Sequence, residues 1–385
     1  MVTGNTNTAP GFMLYGNSNN THLLLPTSTV AEIGAQAELA ELVVFEKKTV
    51  LEAAENTKKI QATLVTDSVK KIKPGPRDIE IFSELSIETL RDNFGGMDDS
   101  TKRASSLVYS SLTNGHGRYR AIPFIDNRDI LSLASTFENM AEPIKHLAGE
   151  IALMARLPCA DFHLTPILLL GGPGIGKTAF ASALAKVLKL PYCKLKGSEP
   201  AFSLTGSHPS WARAKPGMLI DQMSLYDSAA PLFLVDEMDK HGGEQYPIGH
   251  ALLDLLEPEN ARNFKDELFQ IEFNASHAVW ILTANTTAGV SAPLLSRMIT
   301  FDIPAPGIAQ RKRIIEADLE SLRARTGVMV RIKPGQVRML AERLDLDLRK
   351  LTRIVRDCFI AAIGHNLHIG SFDLPLAVKP AMGFF

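Results

Sequence analysis

Residues 171–178 read GGPGIGKT and match the phosphate-binding pattern G-x-x-x-x-G-K-[ST]. The apolar segment TPILLL precedes them, and the helix-forming segment AFASALAKVLKL follows. Glycines let backbone N–H groups converge on phosphate oxygens, and a following helix offers the positive end of its dipole. Lys177 would reach the β- and γ-phosphates, and the Thr178 hydroxyl would bind Mg²⁺. The pattern predicts ATP and Mg²⁺ as cofactors. We expect the following residues to contact the nucleotide: Gly171, Gly172, Pro173, Gly174, Ile175, Gly176, Lys177, Thr178 and Phe180.

Two acidic residues, Asp236 and Glu237, end the apolar segment LFLV. That position would bring both carboxylates to the carboxyl edge of a parallel sheet, where ligands of such sheets bind. Asp236 would hold Mg²⁺ through water, and Glu237 would act as the general base that polarises the attacking water. An acidic pair often ends a strand without a catalytic role, but a pair downstream of a P-loop favours hydrolysis.

Three further polar residues are candidates for a role in catalysis. Asn285 ends the apolar segment VWILTA, where its amide could orient the attacking water, although a turn-forming asparagine is common there. Arg297 and Arg349 lie on predicted helices, where most arginines only cover a solvated face. The residues alone therefore leave the roles of these three side chains open.

Short apolar strands alternate with helical segments from about residue 140 to residue 306. This rhythm predicts an α/β fold in which helices sandwich a buried parallel sheet, followed by a small helical lid. The first part of the chain is mostly helical in pattern, whereas residues 1–27 are too polar to pack. We therefore predict four segments: a disordered segment 1–27, a partner or substrate region 28–137, an α/β nucleotide-binding domain 138–306 and a helical lid domain 307–385.

The composition of the 385 residues is that of a soluble globular protein, with 45% hydrophobic and 22% charged residues. A net charge of −1 gives no general attraction to nucleic acid. The three cysteines are far apart, which argues against a disulfide framework and against a thiolate zinc site. Neither a signal peptide nor a membrane-spanning apolar run is recognisable, so we expect a cytoplasmic protein without a membrane partner.

The motifs, taken together, resemble the ATPase module of the Lon proteases, a branch of the AAA+ superfamily. The similar segments are GGPGIGKT, LFLVDEMDK, LLDLLEPENARNFKDELFQIEF, ILTANT and PLLSRMITFDIP. The resemblance implies that Asn285 is the sensor-one residue, that Arg297 is the arginine finger for the neighbouring subunit's nucleotide, and that Arg349 is the sensor-two arginine. It also implies a head-to-tail ring, a hexamer. Lon proteins usually have glycine where this chain has Asp347, two residues before Arg349.

The resemblance implies an ATP-hydrolysing ring that acts as a chaperone or unfoldase and threads protein substrates through a central pore. Lon proteases continue from the lid into a Ser-Lys peptidase domain, and no such motif is present in these 385 residues. We therefore expect ATPase activity without peptidase activity, with a separate peptidase as a conceivable partner. Two alternatives stay open: a motor that acts on nucleic acid, although we do not expect a nucleic-acid partner, and a nucleotide-dependent assembly factor that threads nothing.

The segment GSHPSWARAKPG, residues 206–217, places Trp211 in a polar loop bounded by glycine and proline. A tryptophan in such a loop can fold back onto its own domain. The loop lies between two predicted strands, where Lon carries its pore loop, and its closing Pro-Gly aligns with a Pro-Gly there. The resemblance therefore implies that Trp211 grips the substrate, as a tyrosine does in Lon.

Overall fold

The computed structural model describes residues 12–16, 22–26, 75–240, 247–332, 335–364 and 369–370 of the chain. The chain divides into two units, residues 1–70 and 71–385. In the first unit, strands β1 (Phe12–Gly16) and β2 (His22–Pro26) pair in antiparallel fashion. A hairpin at these ten residues differs from the disorder that the composition of residues 1–27 predicts. The reason is that the two strands, FMLYG and HLLLP, are apolar islands within an otherwise polar segment.

A five-stranded parallel sheet forms the centre of the second unit. Its strands are β5 (Ile167–Leu170), β6 (Tyr192–Lys196), β7 (Leu232–Asp236), β10 (Val279–Ala284) and β11 (Ile299–Asp302). They lie in the order β11-β5-β10-β7-β6, so β5, β10 and β7 are flanked on both sides. Parallel neighbours require crossover connections, which the helices between the strands supply. The structure thus confirms the predicted α/β fold with a parallel sheet and a helical C-terminal part.

Helices surround this sheet. In chain order they are α1 (Glu84–Gly96), α2 (Asp99–Asn114), α3 (Asn127–Leu131), α4 (Ala141–Met154), α5 (Lys177–Leu188), α6 (Phe202–Thr205), α7 (Met218–Leu225), α8 (Ile248–Leu255), α9 (Pro258–Ala261), α10 (Ala292–Leu295), α11 (Ile308–Thr326), α12 (Gln336–Ala341) and α13 (Leu348–Gly364). Among the described residues, no helix is both long and apolar enough to cross a membrane.

Six short strands among the described residues of the second unit lie outside the main sheet. Strands β3 (Asp78–Glu80) and β4 (Tyr119–Ala121) pair in antiparallel fashion, and β8 (Phe264–Lys265) and β9 (Glu272–Phe273) form a hairpin. Strands β12 (Arg331–Ile332) and β13 (Ile369–Gly370) pair in parallel fashion. In the first of these pairs, Ile79 of β3 lies opposite Arg120 of β4.

Residues 75–137 pack against the sheet domain. Phe82 stacks on Phe273 with ring centroids 5.3 Å apart, and both side chains belong to the hydrophobic core that includes the sheet. The Asn93 amide donates a hydrogen bond of 2.7 Å to the Phe269 carbonyl. The structure therefore has no boundary at residue 137, where composition predicts the end of a separate partner region. These cross-contacts join residues more than 170 positions apart and leave no local trace in the sequence.

The C-terminal helices have a hydrophobic core of their own. Ile315 and Leu319 of α11 pack with Leu351, Val355 and other buried residues of α13. The core of the sheet domain runs as far as Ile303. The lid helices thus pack together as a unit, which allows them to present side chains to the sheet domain without sharing its core.

Candidate functional site

A cavity of about 740 Å³ lies between the P-loop, the carboxyl ends of β7 and β10, and the lid helices. Its volume is in the range of small-molecule and cofactor sites. The predicted site residues that line it are Pro173, Gly174, Ile175, Gly176, Lys177, Thr178, Asp236, Glu237, Asn285 and Arg349. The structure therefore brings the P-loop, both acidic residues, Asn285 and Arg349 to one place.

The P-loop backbone adopts conformations that need glycine, and Gly174 and Gly176 show this most clearly. Gly174 has φ of 69° and Gly176 has φ of 104°, in the left-handed region where a side chain is strained. A Cβ at Gly174 would also lie 2.8 Å from the Cβ of Asp347, because the lid approaches the loop there. Both glycines thus serve the shape of the loop, and Gly174 also serves its contact with the lid.

Lys177 begins α5 and is largely buried within the cavity wall. Its ammonium donates hydrogen bonds to the Gly171 carbonyl, to the Gly172 carbonyl at 2.9 Å and to Asn285 Oδ1 at 3.3 Å. Burial lowers the pKa of Lys177, although the carboxylates of Asp236 and Asp239 oppose this effect. Phosphate oxygens would offer the ammonium stronger, charged acceptors than these neutral oxygens.

Asp236 lies at the end of β7 among three donors. Its Oδ2 accepts hydrogen bonds from Thr178 Oγ1 at 3.0 Å and from Lys194 Nζ at 2.7 Å, and its Oδ1 accepts one from Thr283 Oγ1 at 2.5 Å. Burial alone would raise the pKa of Asp236, but these donors, led by Lys194, hold it below its ordinary value. The carboxylate is therefore ionised at neutral pH.

The pair formed by Thr178 and Asp236 fits a magnesium ion. Mg²⁺ binds hard oxygen ligands and usually keeps several of its waters, so one hydroxyl and one carboxylate suffice when phosphates complete the shell. The two oxygens lie 3.0 Å apart, and the carboxylate already attracts a cation, the ammonium of Lys194. A bound Mg²⁺ would neutralise charge on the phosphates, while these two side chains would hold it in place.

Glu237 follows Asp236 in a strained backbone conformation. Its φ is 61°, which is uncommon for a residue other than glycine and typical of functional positions. Its N–H donates to Thr283 Oγ1 at 3.1 Å, and its carboxylate accepts a hydrogen bond of 2.8 Å from Lys240 Nζ. A Cβ at Gly197 would lie 2.6 Å from the Glu237 carbonyl oxygen, so the neighbouring turn must be glycine. The side chain of Glu237 lines the cavity.

Arg349 lies in the first turn of α13, the helix whose start approaches the P-loop. The Leu348 N–H donates to the Gly174 carbonyl at 3.1 Å. Asp347 Oδ1 accepts a hydrogen bond of 2.8 Å from the Lys350 N–H and so caps the helix. This cap is a physical reason for aspartate at the position where Lon proteins usually have glycine. The substitution leaves Arg349 on the cavity wall.

Three predicted nucleotide contacts do not line the cavity. Gly171 and Gly172 present their carbonyls to Lys177 instead. Phe180 is fully buried on the core side of α5 and packs edge-on against Phe137, with centroids 5.6 Å apart. Phe137 itself lines the cavity. Thr178 and Ser182, four residues apart on one face of α5, line the cavity. Phe180 lies on the other face and supports the lining residue Phe137 from the core side.

Arg297 lies outside the cavity formed by its own chain. Its Nε lies 3.3 Å from Glu257 Oε2 in an ion pair, and its guanidinium donates a hydrogen bond of 2.9 Å to the Pro293 carbonyl. The Arg297 side chain is thus 29% exposed and is held between α10 and β11, away from the cavity of its own chain. This placement is compatible with action on a neighbouring subunit.

Residues 167–304 match the family described as "ATPase family associated with various cellular activities (AAA)". The chain is 34% identical over 141 residues to the Lon protease of Treponema pallidum, which covers 36% of this chain and 16% of that protein. It is 32% identical over 222 residues to human peroxisomal Lon protease homolog 2, which covers 57% of this chain and 25% of that protein. Residues 167–304 therefore match the AAA family and are similar to the AAA part of Lon proteases. The chain spans only 16% to 25% of the length of these relatives.

The fold of the AAA domain also agrees with a solved structure. A closed-state cryo-EM reconstruction of Hsp104 with ATPγS and FITC-casein superposes with a TM-score of 0.51. The match covers 65% of this chain and 50% of that chain at 16% sequence identity. The likeness supports the assignment of the fold.

The loop at residues 206–217 of the AAA domain presents Trp211 to solvent. The tryptophan is 48% exposed and meets the ring of Phe202 edge-on, with centroids 5.7 Å apart. The Ser207 N–H donates to the Lys215 carbonyl at 2.9 Å, which closes the base of the loop. Trp211 is therefore not a core residue. Within its own chain, its ring packs edge-on against the ring of Phe202.

Asp266, in the turn of the β8–β9 hairpin, ties the hairpin to the base of this loop. The carboxylate is 1% exposed and accepts hydrogen bonds from the N–H groups of Gly217, Leu268 and Phe269, at 3.3, 3.0 and 2.8 Å. The Glu267 N–H donates to the Thr205 carbonyl, just before the loop, at 2.9 Å. Hydrogen bonds therefore join both ends of the loop to the hairpin.

We expect Asp266→Asn to reduce the pH dependence of stability. Burial raises the pKa of Asp266 from 3.8 to about 7, and Asp221, whose own pKa burial raises to about 6, adds to this effect. Between pH 3.8 and about 7, Asp266 is protonated in the folded protein and ionised in the unfolded chain. The free energy of unfolding therefore falls as the pH rises from about 4 to about 7. The contribution is of the order of a few kcal/mol. Melting temperatures at pH 5.5 and pH 8 measure it.

The matched control for this experiment is Glu267→Gln, which removes the exposed carboxylate next in the chain. Glu267→Gln should keep the wild-type difference in melting temperature between the two pH values. If Asp266→Asn keeps the same difference as well, the buried carboxyl does not titrate in this range.

Two charged residues of the cavity were missed from the sequence. Lys194 and Asp318 both line the cavity, and the first pairs with the predicted magnesium ligand Asp236. Among the described atoms, Asp318 Oδ2 is buried without a hydrogen-bond partner, and burial raises the pKa of its carboxyl. The alternation of side chains along β6 could have placed Lys194 on one face of the sheet. The residues around Lys194 in the sequence do not show that its ammonium contacts Asp236.

Proposed function

We propose that this chain is a subunit of an ATP-driven ring that threads protein chains through its central pore. The observation that carries the proposal is the exposed Trp211 on a loop closed at its base and clamped by the hairpin of an AAA domain. An exposed aromatic ring can hold many unrelated side chains through dispersion and apolar contact. A threading device needs this kind of unspecific grip.

The site supports ATP hydrolysis as the energy source. Thr178 and Asp236 would hold Mg²⁺, Lys177 would bind the β- and γ-phosphates, and Glu237 would accept a proton from the attacking water. Asn285 contacts Lys177 and would help to place the γ-phosphate. The lid reaches the P-loop through Gly174, so the position of the lid would respond to the bound nucleotide.

Protein is the substrate class that the relatives favour, since both are called Lon proteases. A nucleic-acid motor would need a basic path for phosphates. Within the loop, Arg213 and Lys215 are exposed cations. Two cations beside an aromatic residue give little support for such a path, so protein is the better candidate. A peptidase as a separate partner stays part of the proposal.

Substrate-dependent ATPase rates distinguish the three functions. We expect an unfolded protein to raise the rate of ATP hydrolysis, and single- and double-stranded DNA to leave it unchanged. Stimulation by DNA would favour the nucleic-acid motor, and no stimulation by either would favour an assembly factor. The rates are measured as phosphate release at equal chain concentration.

Replacing Trp211 with Ala should separate grip from hydrolysis. The variant should keep basal ATPase activity and ring formation, and lose about tenfold or more of the stimulation by unfolded protein, because a central aromatic anchor is removed. The matched control is Tyr226→Ala, which removes another aromatic residue that is about half-exposed. Normal stimulation in Trp211→Ala would contradict the role in grip, and an unfolded variant would show a packing role.

A further inference from the structure

We infer that Lys194 competes with a divalent metal ion for Asp236. The lysine thereby lowers the affinity of the site for a metal ion that is not bound to ATP. The inference rests on the magnesium–ATP site proposed above. The ammonium of Lys194 lies 2.7 Å from Asp236 Oδ2, the same oxygen that accepts the Thr178 hydroxyl at 3.0 Å. One oxygen atom of the carboxylate thus carries both the ion pair and the contact with the other predicted metal ligand.

The second oxygen of Asp236 is already held by a hydrogen bond. Oδ1 accepts a hydrogen bond of 2.5 Å from Thr283 Oγ1, and the same hydroxyl accepts the N–H of Glu237. These contacts fix the plane of the carboxylate and turn Oδ2 toward Thr178. A metal ion between Thr178 and Asp236 would therefore use the oxygen that Lys194 occupies.

The fold places Lys194 in reach of this oxygen. Strands β6 and β7 are adjacent and parallel, and Lys194 lies opposite Leu234, two residues before Asp236. The side chain of Lys194 is 42% exposed, whereas that of Asp236 is 13% exposed. The ammonium can therefore withdraw into solvent on its flexible stem, while the carboxylate stays in place.

Charge decides which ligand displaces Lys194. A free divalent ion must either expel the ammonium or bind beside it, and both cost free energy because like charges repel. A metal ion that arrives with ATP brings the negative phosphates, which offset the charge of Lys194. The lysine therefore favours entry of the metal together with nucleotide, and it keeps Asp236 paired when neither is bound.

The test measures binding of Mn²⁺ alone by electron paramagnetic resonance, with no nucleotide and no turnover. Lys194→Met removes the charge, and Lys194→Gln removes it while keeping a hydrogen-bond donor. Both variants should bind Mn²⁺ about fivefold tighter than wild type, the size expected for a partly exposed ion pair. Lys186→Met, which removes an exposed lysine in the last turn of α5, should match wild type.

The double variant Lys194→Met, Asp236→Asn shows where the measured metal binds. The double variant should not show the tighter Mn²⁺ binding of Lys194→Met, because the tighter binding depends on the carboxylate of Asp236. Unchanged or weaker Mn²⁺ binding in both Lys194 variants would overturn the inference, as would a gain that persists without Asp236. Since neither ATP hydrolysis nor a protein substrate enters this measurement, its failure would leave the threading proposal to its own test.

With the ATP analogue AMP-PNP present, the difference between wild type and Lys194→Met should shrink. The phosphates would then supply the charge that offsets the ammonium. An undiminished difference would show that Lys194 opposes the metal in both states, and would overturn the preference for joint entry.

Discussion

Glu237→Gln is expected to abolish ATP turnover while ATP binding persists. The carboxylate lies on the cavity wall, one residue after the predicted magnesium ligand Asp236, on a backbone held at φ of 61°. A glutamine has the same shape but cannot accept the proton of the attacking water. Loss of a general base lowers turnover by about a hundredfold to ten-thousandfold. Phosphate release measures turnover, and a fluorescent ATP analogue measures binding.

The ion pair with Lys240 allows a structural interpretation of Glu237 to be tested. The Lys240 ammonium donates to Glu237 at 2.8 Å. If the glutamate served only this pair, Lys240→Ala would impair turnover as much as Glu237→Gln. A catalytic base predicts instead that Lys240→Ala stays within about tenfold of wild type, since an exposed pair contributes little. Glu259→Gln, at an exposed carboxylate of α9, is the control for loss of negative charge.

The same variant would also identify the substrate. A ring that binds ATP and does not hydrolyse it should retain whatever chain it grips, because release depends on the lid and hairpin leaving their ATP-bound positions. Proteins that copurify with Glu237→Gln in ATP, but not with the double variant Glu237→Gln, Trp211→Ala, would be bound through the loop at residues 206–217. Copurification that is independent of Trp211 would place the contact elsewhere.

The P-loop and the acidic pair were predictable because their signals are local. Gly174, Gly176 and Lys177 act through the loop and helix that they themselves form, so spacing alone defines their arrangement. Asp236 follows a fully apolar strand, whose buried position in a parallel sheet forces its end to the ligand-binding edge. In both cases the chemistry is coded within eight or fewer consecutive residues.

Helix α2 shows where pattern reading fails. Its buried stripe consists of Thr101, Ser105, Val108 and Leu112, which have helical spacing but only two apolar members. Ser105 is buried because its hydroxyl donates to the Thr101 carbonyl, within the helix. A search for apolar periodicity therefore misses a helix whose polar groups are satisfied locally.

Contacts between distant segments were not predictable. Lys194 and Asp236 are 42 positions apart, and their pairing depends on the register of β6 against β7. Asp266 lies 49 positions from Gly217, and its role depends on a hairpin that folds against the base of the loop. A single sequence indicates that such elements exist, but not which backbone groups they bring together.

Arg297→Ala is expected to abolish turnover in a ring made only of that variant. An arginine that stabilises the transferring phosphoryl group from the neighbouring subunit contributes about a thousandfold or more to the rate. In this chain the guanidinium is held by Glu257 and the Pro293 carbonyl, outside the cavity of its own subunit. Arg353→Ala, at a mostly exposed arginine of α13, is the matched control and should hydrolyse ATP normally.

Mixing experiments decide whether Arg297 acts across a subunit boundary. Rings of Lys177→Ala lack a working cavity but keep the arginine, and rings of Arg297→Ala keep the cavity but lack the arginine. Each should be inactive alone. In randomly mixed rings at equal amounts, about a quarter of the sites combine an intact cavity with a neighbour's arginine, because each condition holds for half the positions. Turnover should recover to about that fraction.

Recovery in the mixture also excludes misfolding as the cause of inactivity. A chain that had lost its fold without the contacts to Glu257 and Pro293 could not assemble into a ring and be rescued. No recovery, with both variants folded and assembled, would mean that Arg297 serves only its own subunit. The head-to-tail ring would then lose its main support, because a finger outside its own cavity is the feature of this chain that requires a neighbour.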